Sequence, residues 1–507
     1  MSTHELAAHT ERVLQGGGAK YREKLEAQGK LFVRDRLKLL FDREPQLEDG
    51  LFAEVLNPEL PADGVVTGIG EIEGRPVAFM AADSTVKAGS WGAKSVEKLL
   101  RIQETAMKLK IPMLYLVDSA GARITDQIAV FPGRRHGGRV FYHQVKMSGV
   151  VPQVTLLFGP SPAGAAYVPA FSDVVIMVDG NASAYLGSPR MAEMAIGEKV
   201  TLEQMGGARM HCTTSGLGDF LAKDEREAIA LARTYLGYMP SHWQVAPPSR
   251  LPAPPASFTP LDQIIPAEAN KPFDMRELID TLVDADSFFE LKQLFAPELI
   301  TGFGSLDGRV VGIVANQPKV KGGTLFIDSS DKGARFCTLC NAFGIPLLFL
   351  SDVPGFMIGS AVEKAGIIRH GAKFVAAVAQ ATVPKICVVV RKCYGAGLYA
   401  MAGPALGTDA TLALPSAEIA VMGPEAAVNA VYANVIEQLP EDERAAFVAA
   451  KREEYAEDID IFRLAGELIV DAVIPFDGLR RELSTRFRLY ASKDEQFSVR
   501  RNPVYPV

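Results

Sequence analysis

Two stretches of very small residues stand where a buried strand runs into a helix. The first, Gly159-Pro160-Ser161-Pro162-Ala163-Gly164-Ala165-Ala166, follows the apolar run at 154–158. The second, Arg391-Lys392-Cys393-Tyr394-Gly395-Ala396-Gly397-Leu398, follows the apolar run at 386–390. The N–H groups of a first helical turn have no intrahelical acceptor. Beside residues with almost no side chain, a carbonyl oxygen can approach them closely. Helped by the helix dipole, such donors stabilise a developing oxyanion. Ser161 is expected to cap the first helix and Pro162 to be its first residue. Tight packing of strand on helix asks for the same small residues, so each junction has two readings, and a duplicated fold can duplicate its packing.

Other chemistry-bearing patterns are missing: no HExxH, no GxSxG, no Walker loop and no second CxxC. Cys337 and Cys340 form a lone CxxC, with Phe336, Cys340 and Phe343 at helical spacing. They read as core residues of a helix, since structural zinc needs a further ligand pair. His136 and His370 recur in Arg-His-Gly triplets, which suggests a shared packing or turn role. Asp118 and Asp352 follow strand ends and are expected to cap the next turn, or to line a site. Lys87 and Lys321 suit either an anion or solvent. The glycines at 16–18 read as flexible chain.

The elements that carry these residues repeat. TGIGEIEGRPV starts at Thr67 and TGFGSLDGRVV at Thr301, an offset of 234. IPMLYLVDSAG (111–121) matches IPLLFLSDVPG (345–355) at the same offset, and Val151-Pro152 matches Val383-Pro384 with a slip of two. A domain-sized period means a duplicated domain, not a solenoid. In each half, short apolar strands alternate with helical patterns, as in βαβ units around a buried sheet. Helices are expected at 95–110, with Leu99, Ile102, Ala106 and Leu109 on one face, and around 330–343 and 365–381. The proline-rich stretch 240–260 predicts an extended connector, giving domains at 1–250 and 265–507.

A chain of 507 residues needs more than one core. Its net charge of −7 argues against general nucleic-acid binding. No apolar run reaches the ~20 residues of a membrane span. The N-terminal residues do not read as a secretory signal, and five scattered cysteines suggest a reducing, cytoplasmic setting.

From about residue 30 onward the chain resembles the β (carboxyltransferase) subunits of biotin-dependent acyl-CoA carboxylases, the propionyl-CoA and methylcrotonyl-CoA group. The stretches that carry the likeness are RDRLKLLFD (34–42), DGVVTGIG (63–70), DSAGARI (118–124), AGAAYVPAFSD (163–173), FDMREL (273–278), DADSFFEL (284–291), SDVPGF (351–356), IIRHGAK (367–373), ATVPK (381–385) and AEIAVMG (417–423). The resemblance implies an α/β fold of two tandem crotonase-like (ClpP/crotonase) domains. It implies a first domain that binds the acyl-coenzyme A and a second that receives carboxybiotin from a partner biotin carboxylase or carrier subunit. It also implies a homo-hexamer whose sites pair domains of different subunits, with no metal in this subunit. Carried onto this chain, Ala163, Gly164 and Ala165 would hold the thioester oxygen, and Ala396 and Gly397 the ureido oxygen. Gly121, Ala122, Gly355, Phe356 and Leu398 would line the substrate sites. The Gly-Ala-Gly run at 395–397 resembles the methylcrotonyl type, whereas IIRHGAK and ATVPK resemble the propionyl type. A decarboxylase or transcarboxylase would use the same half-reactions. A biotin-independent hydratase or isomerase usually needs one such domain and acid/base carboxylates.

Overall fold

The computed structural model describes residues 3–497, 499–500 and 504–506. By its internal packing the chain divides into two units, Met1–Pro247 and Pro248–Val507. Both are built around a sheet whose inner strands are apolar on both faces. Strands of that composition lose their apolar surface to water unless helices cover them on each side, which favours parallel βαβ connections.

Unit one opens with α1 (Thr3–Leu14), α2 (Ala19–Ala27) and α3 (Val33–Leu40). Its sheet contains β1 (Leu47–Asp49), β2 (Val65–Ile72), β3 (Arg75–Ala82), β4 (Met113–Val117), β5 (Gln153–Leu157), β7 (Val174–Val178) and β9 (Phe220–Ala222), in that spatial order. The first two pairings are antiparallel and the rest parallel. Two short strands, β6 (Pro160–Pro162) and β8 (Ser183–Tyr185), pair separately. Helices α4 (Ala93–Leu109), α5 (Gly137–Met147) and α6 (Glu225–Leu236) belong to this unit. On α4, Leu99, Ile102 and Ala106 are buried as expected, but Leu109 is 56% exposed because it lies in the last turn.

Unit two repeats the plan. After α7 (Met275–Leu282) come β10 (Phe289–Leu291), β11 (Leu299–Leu306), β12 (Arg309–Asn316), β13 (Leu347–Val353), β14 (Lys385–Tyr394), β15 (Ala410–Ala413) and β17 (Ala472–Val473), again in spatial order. β16 (Glu418–Ala420) pairs with the far end of β14. The helices are α8 (Ile327–Ala342), α9 (Ile367–Gln380), α10 (Ala396–Ala400) and α11 (Leu479–Tyr490). Register confirms the repeat: Met113 stands opposite Gln153 as Leu347 stands opposite Lys385. The stretch expected to be an extended connector is tied down: Trp243 N donates to Val150 O in unit one, and from Ser249 onward it packs on unit two. Ser249 bridges to Arg309 and Pro255 to Asp284, while Leu261 and Ile264 enter that unit's core.

Cys337 and Cys340 are fully buried on α8, and burial raises both thiols, Cys337 to about 12. The glycines at 16–18 are not loose. Gly17 donates to Thr85 Oγ1 at 2.9 Å, and side chains at 16 or 17 would collide with Asp83 and Thr85. The two histidines do not share a role. His136 precedes α5 and its Nδ1 accepts from Gly133 N, whereas His370 lies within α9 and meets Asp331 at 2.7 Å.

Candidate active site

In each half, two backbone segments converge past the ends of the parallel strands, where open α/β sheets place their ligands. The first segment leaves the strand before the slip. After β4, Ser119 N donates to Pro160 O at 2.9 Å, tying this segment to β6. Trp91 N donates to Gly121 O and Arg123 N to Trp91 O, which leaves the Ala122 N–H without an acceptor. After β13 the pattern recurs. Leu325 N donates to Gly355 O and Met357 N to Leu325 O, and the Phe356 N–H is left over. Gly121 (φ 89°) and Gly355 (φ 127°) take backbone angles that favour glycine. The Gly121 N–H is used by Ser119 Oγ, so this residue supplies room, not a donor. The Phe356 ring is half-buried, and the face of Gly371 lies directly beside it.

The second segment is the donor turn. A 3₁₀ turn at Ala163–Ala166 follows β6, and α10 follows β14. Ser161 does not cap it: Ser161 lies within β6, and its hydroxyl donates to Ala165 O at 2.9 Å. Pro162 is extended and occupies the cap position itself. Superposed through the strands, Ala163 matches Gly395, Gly164 matches Ala396 and Ala165 matches Gly397. The left-handed residue therefore falls at the same place in both turns, Ala163 (φ 52°) and Gly395 (φ 56°). Ala163, Gly164 and Ala396 are exposed, while Ala165 and Gly397 are buried. A Cβ on Gly164 would meet nothing within 4 Å. A Cβ on Gly397 would stand 3.0 Å from both Val353 methyls and 3.2 Å from Gly355 Cα. Leu398 is half-buried, with its side chain against the face of Gly403.

Asp118 and Asp352 do not cap turns. Each is a buried carboxylate held by an arginine and a lysine. Asp118 accepts from Lys30 at 3.0 Å, Arg36 at 3.1 Å and Ser84 at 2.9 Å, and Arg36 also binds Glu225 at 2.6 and 2.8 Å. Burial alone would raise the Asp118 carboxyl, but Arg36 and Lys30 bring it below the usual range. Asp352 accepts from Arg391 at 2.7 and 3.2 Å, from Lys392 N at 3.3 Å and from Lys392 Nζ at 3.2 Å. The four cations went unnoticed in the sequence. A signal existed: Arg391 and Lys392 interrupt an otherwise apolar buried strand, and a charge there needs a partner.

Lys87 and Lys321 lie in matching left-handed turns, at φ 45° and 49°. Lys87 pairs with exposed Glu59, and Lys321 with fully buried Glu298 at 3.3 Å. Two further lysines repeat, Lys98 and Lys332. Lys98 Nζ donates to Ala62 O and Val65 O, and Lys332 Nζ to the carbonyls of Lys292, Phe295 and Ala296. Burial lowers them to about 8 and about 7. Among the described residues no group of three or more His, Cys, Asp or Glu could hold a metal ion. No helix among them is long and apolar enough to cross a membrane.

A carboxyl transferase domain matches residues 24–505. The chain is 65% identical to an uncharacterized carboxylase, YngE, of Bacillus subtilis (strain 168), over 99% of both chains. It is 38% identical to the carboxyltransferase subunit of propionyl-CoA carboxylase from Haloferax mediterranei, over 96% of both. Its fold matches the transcarboxylase 12S crystal structure, solved with methylmalonyl-coenzyme A and methylmalonic acid bound, at a TM-score of 0.93. That match has 38% identity and covers 99% of this chain and 98% of the other.

Proposed function

Because the chain belongs to the carboxyl transferase family, we propose that it moves a carboxyl group between carboxybiotin, carried by a partner protein, and an acyl-coenzyme A. The observation that carries this reading is the pair of equivalent donor turns, each beside a strand-end loop with an unused N–H. In the first half, the N–H groups at Ala163, Gly164 and Ala165, with Ala122 opposite, would hold the thioester oxygen and favour the enolate. Exposed Tyr167 and Phe171, which pack with Phe141, offer the acyl chain an apolar wall beside them. In the second half, Ala396, Gly397 and Phe356 would hold the ureido oxygen. Carboxybiotin supplies the CO₂ and, once that has left, a base for the α-proton. Losing one oxyanion donor typically costs roughly 10²–10³ in rate, so backbone geometry is a sufficient main contributor. The partners of this reading are a biotin carboxylase with its carrier, and further copies of this chain in a hexamer.

The test is to purify the chain with its biotinylated partner and to measure ATP-dependent bicarbonate fixation across a panel of acyl-coenzyme A thioesters. Fixation on at least one of them is expected. The likeness to transcarboxylase 12S favours a second reading, transfer out of a carboxylated thioester. It predicts biotin carboxylation from methylmalonyl-coenzyme A without ATP. No biotin-dependent transfer in either direction would overturn both readings.

A further inference from the structure

The cations that neutralise the two buried carboxylates have changed places between the halves. Aligned through the bidentate pairs Arg34–Glu48 and Arg276–Glu290, Arg36 on α3 corresponds to Leu278 on α7, which is fully buried. Aligned through β5 and β14, Gly159 corresponds to Arg391. Thus the first half has Arg at the helix position and Gly just past the strand, and the second has Leu on the helix and Arg on the strand. A side chain at Gly159 would collide with Asp118 Oδ1 and come 2.8 Å from Lys30 Nζ, the space the second half gives to its arginine. The aromatic face exchanges as well. Arg36 lies over Phe158 at the end of β5 (4.5 Å), and Arg391 over Phe273 beside α7 (4.7 Å).

Stability does not demand such a cluster, because a well-packed apolar replacement of a buried ion pair is often as stable. What the cluster holds is the path to the donor turn. Between Ser351 and Val353 the β13–β14 register shifts, so β14 carries extra residues there. Asp352 sits at that shift and accepts the Lys392 N–H, while Arg391 Nη1 binds the carbonyls of Glu268 and Lys271 at 2.9 and 2.8 Å. A bulge bends and re-aims a strand, and this one lies just before Gly395 and the α10 N–H groups.

We infer that Arg391 and Asp352 are positioning residues for the second donor turn, and that Arg36 and Asp118 do the same for the first by a transposed route. The inference rests on the reading above for its consequence in catalysis, but its physical core is the geometry of residues 395–397.

The experiment uses the assembled full chain as wild type, Arg391→Gly, Arg391→Lys and the transplant Leu278→Arg/Arg391→Gly. The first readout is amide hydrogen exchange at residues 395–397, which needs no activity. The second is CO₂ release from free N-carboxybiotin without acyl-coenzyme A. In that reaction the N–C bond breaks, its electron pair stays on the ureido nitrogen, and that nitrogen takes a proton from water. Arg391→Gly is expected to raise exchange at the turn at least about tenfold by local opening and to cut CO₂ release roughly 10²-fold. The transplant is expected to recover at least about tenfold of that loss. Arg391→Lys keeps the charge but not the fork to Asp352 and the two carbonyls, so it should fall between, and it decides the matter if Arg391→Gly does not fold. Unchanged exchange and release in a folded variant would overturn the inference. So would a folded transplant no better than Arg391→Gly. A wild type that releases no CO₂, with exchange still responding to the variants, would instead sink the biotin reading and leave the positioning role standing.

Discussion

The two donor turns stand at equivalent places in the halves, each with a positive φ at the same position, but with their glycines in different places. In the second half, glycine stands where the fold requires it. Gly395 (φ 56°, ψ −142°) lies close to a region that side chains avoid, and Gly397 packs against Val353 and Gly355. In the first half, the left-handed position is filled by Ala163, and Gly164 is required by neither angle nor packing. Its bare face looks onto open space. Under the function proposed above, that face is where the thioester would approach, whereas the matching Ala396 of the second turn carries a methyl group.

The buried carboxylates give the largest test of the comparison. Asp352→Asn leaves Arg391 and Lys392 with carbonyl partners only, while Asp118→Asn leaves Arg36 still bound to Glu225. Breaking a buried pair typically costs about 3–5 kcal/mol, so Asp352→Asn should approach that loss and Asp118→Asn fall clearly below it. Denaturant midpoints of the two assembled variants measure the difference. Equal losses would show that Glu225 does not share the load.

The turns themselves come next. Gly164→Val should leave the thermal midpoint within about a degree of wild type while acyl transfer falls roughly 10²–10³-fold. CO₂ release from carboxybiotin alone should survive it. Gly397→Val should cost about 1–3 kcal/mol through overpacking and lose both reactions. A Gly164→Val enzyme of normal activity would turn the open space into an accident of the surface.

A smaller contrast lies at the positive-φ position of each turn, Ala163 and Gly395. Gly395→Ala should destabilise by about 1–3 kcal/mol, whereas Ala163→Gly should be neutral or stabilise by up to about 1 kcal/mol, since it relieves a left-handed alanine. Calorimetry on both variants checks the opposite signs.

The gentlest test is a pH slope. Lys332, lowered by burial to about 7, binds fewer protons folded than unfolded between there and about 10.5. Stability from this group therefore rises with pH through that window. The midpoint of wild type minus that of Lys332→Met should increase from pH 7 to pH 9. Lys98, lowered less, to about 8, should give a shallower trend over the same range. A flat difference at both sites would mean that the carbonyl cages keep both lysines charged.

Much of the architecture was legible because duplication shows itself in sequence. The strands in 111–121 and 345–355, the helices expected at 95–110, 330–343 and 365–381, and the core role of Cys337 and Cys340 all appear where periodicity puts them. The donor turns were legible only as small-residue runs. The slip of two read at 151–152 and 383–384 already places Gly164 on Ala396 and Ala165 on Gly397, so the two glycines are not counterparts. Ser161 as a cap, the glycines at 16–18 as loose chain and the two histidines as twins were all read from local chemistry. Ser161 was overruled within its own turn, where its hydroxyl donates to Ala165 O four residues on, and the other two by partners far away in sequence: Thr85 for the glycines, Asp331 for His370.

By itself the sequence determined the repeated α/β plan and the family, because apolar periodicity and repeated motifs are local or translational patterns. Only the tertiary structure decided which residue neutralises Asp118 and which Asp352, where the backbone turns left-handed, and which glycine faces open space. Those facts depend on side chains separated by up to 189 positions, as Arg36 and Glu225 are, meeting in one buried volume. A charge must find its partner there whatever chain segment supplies it.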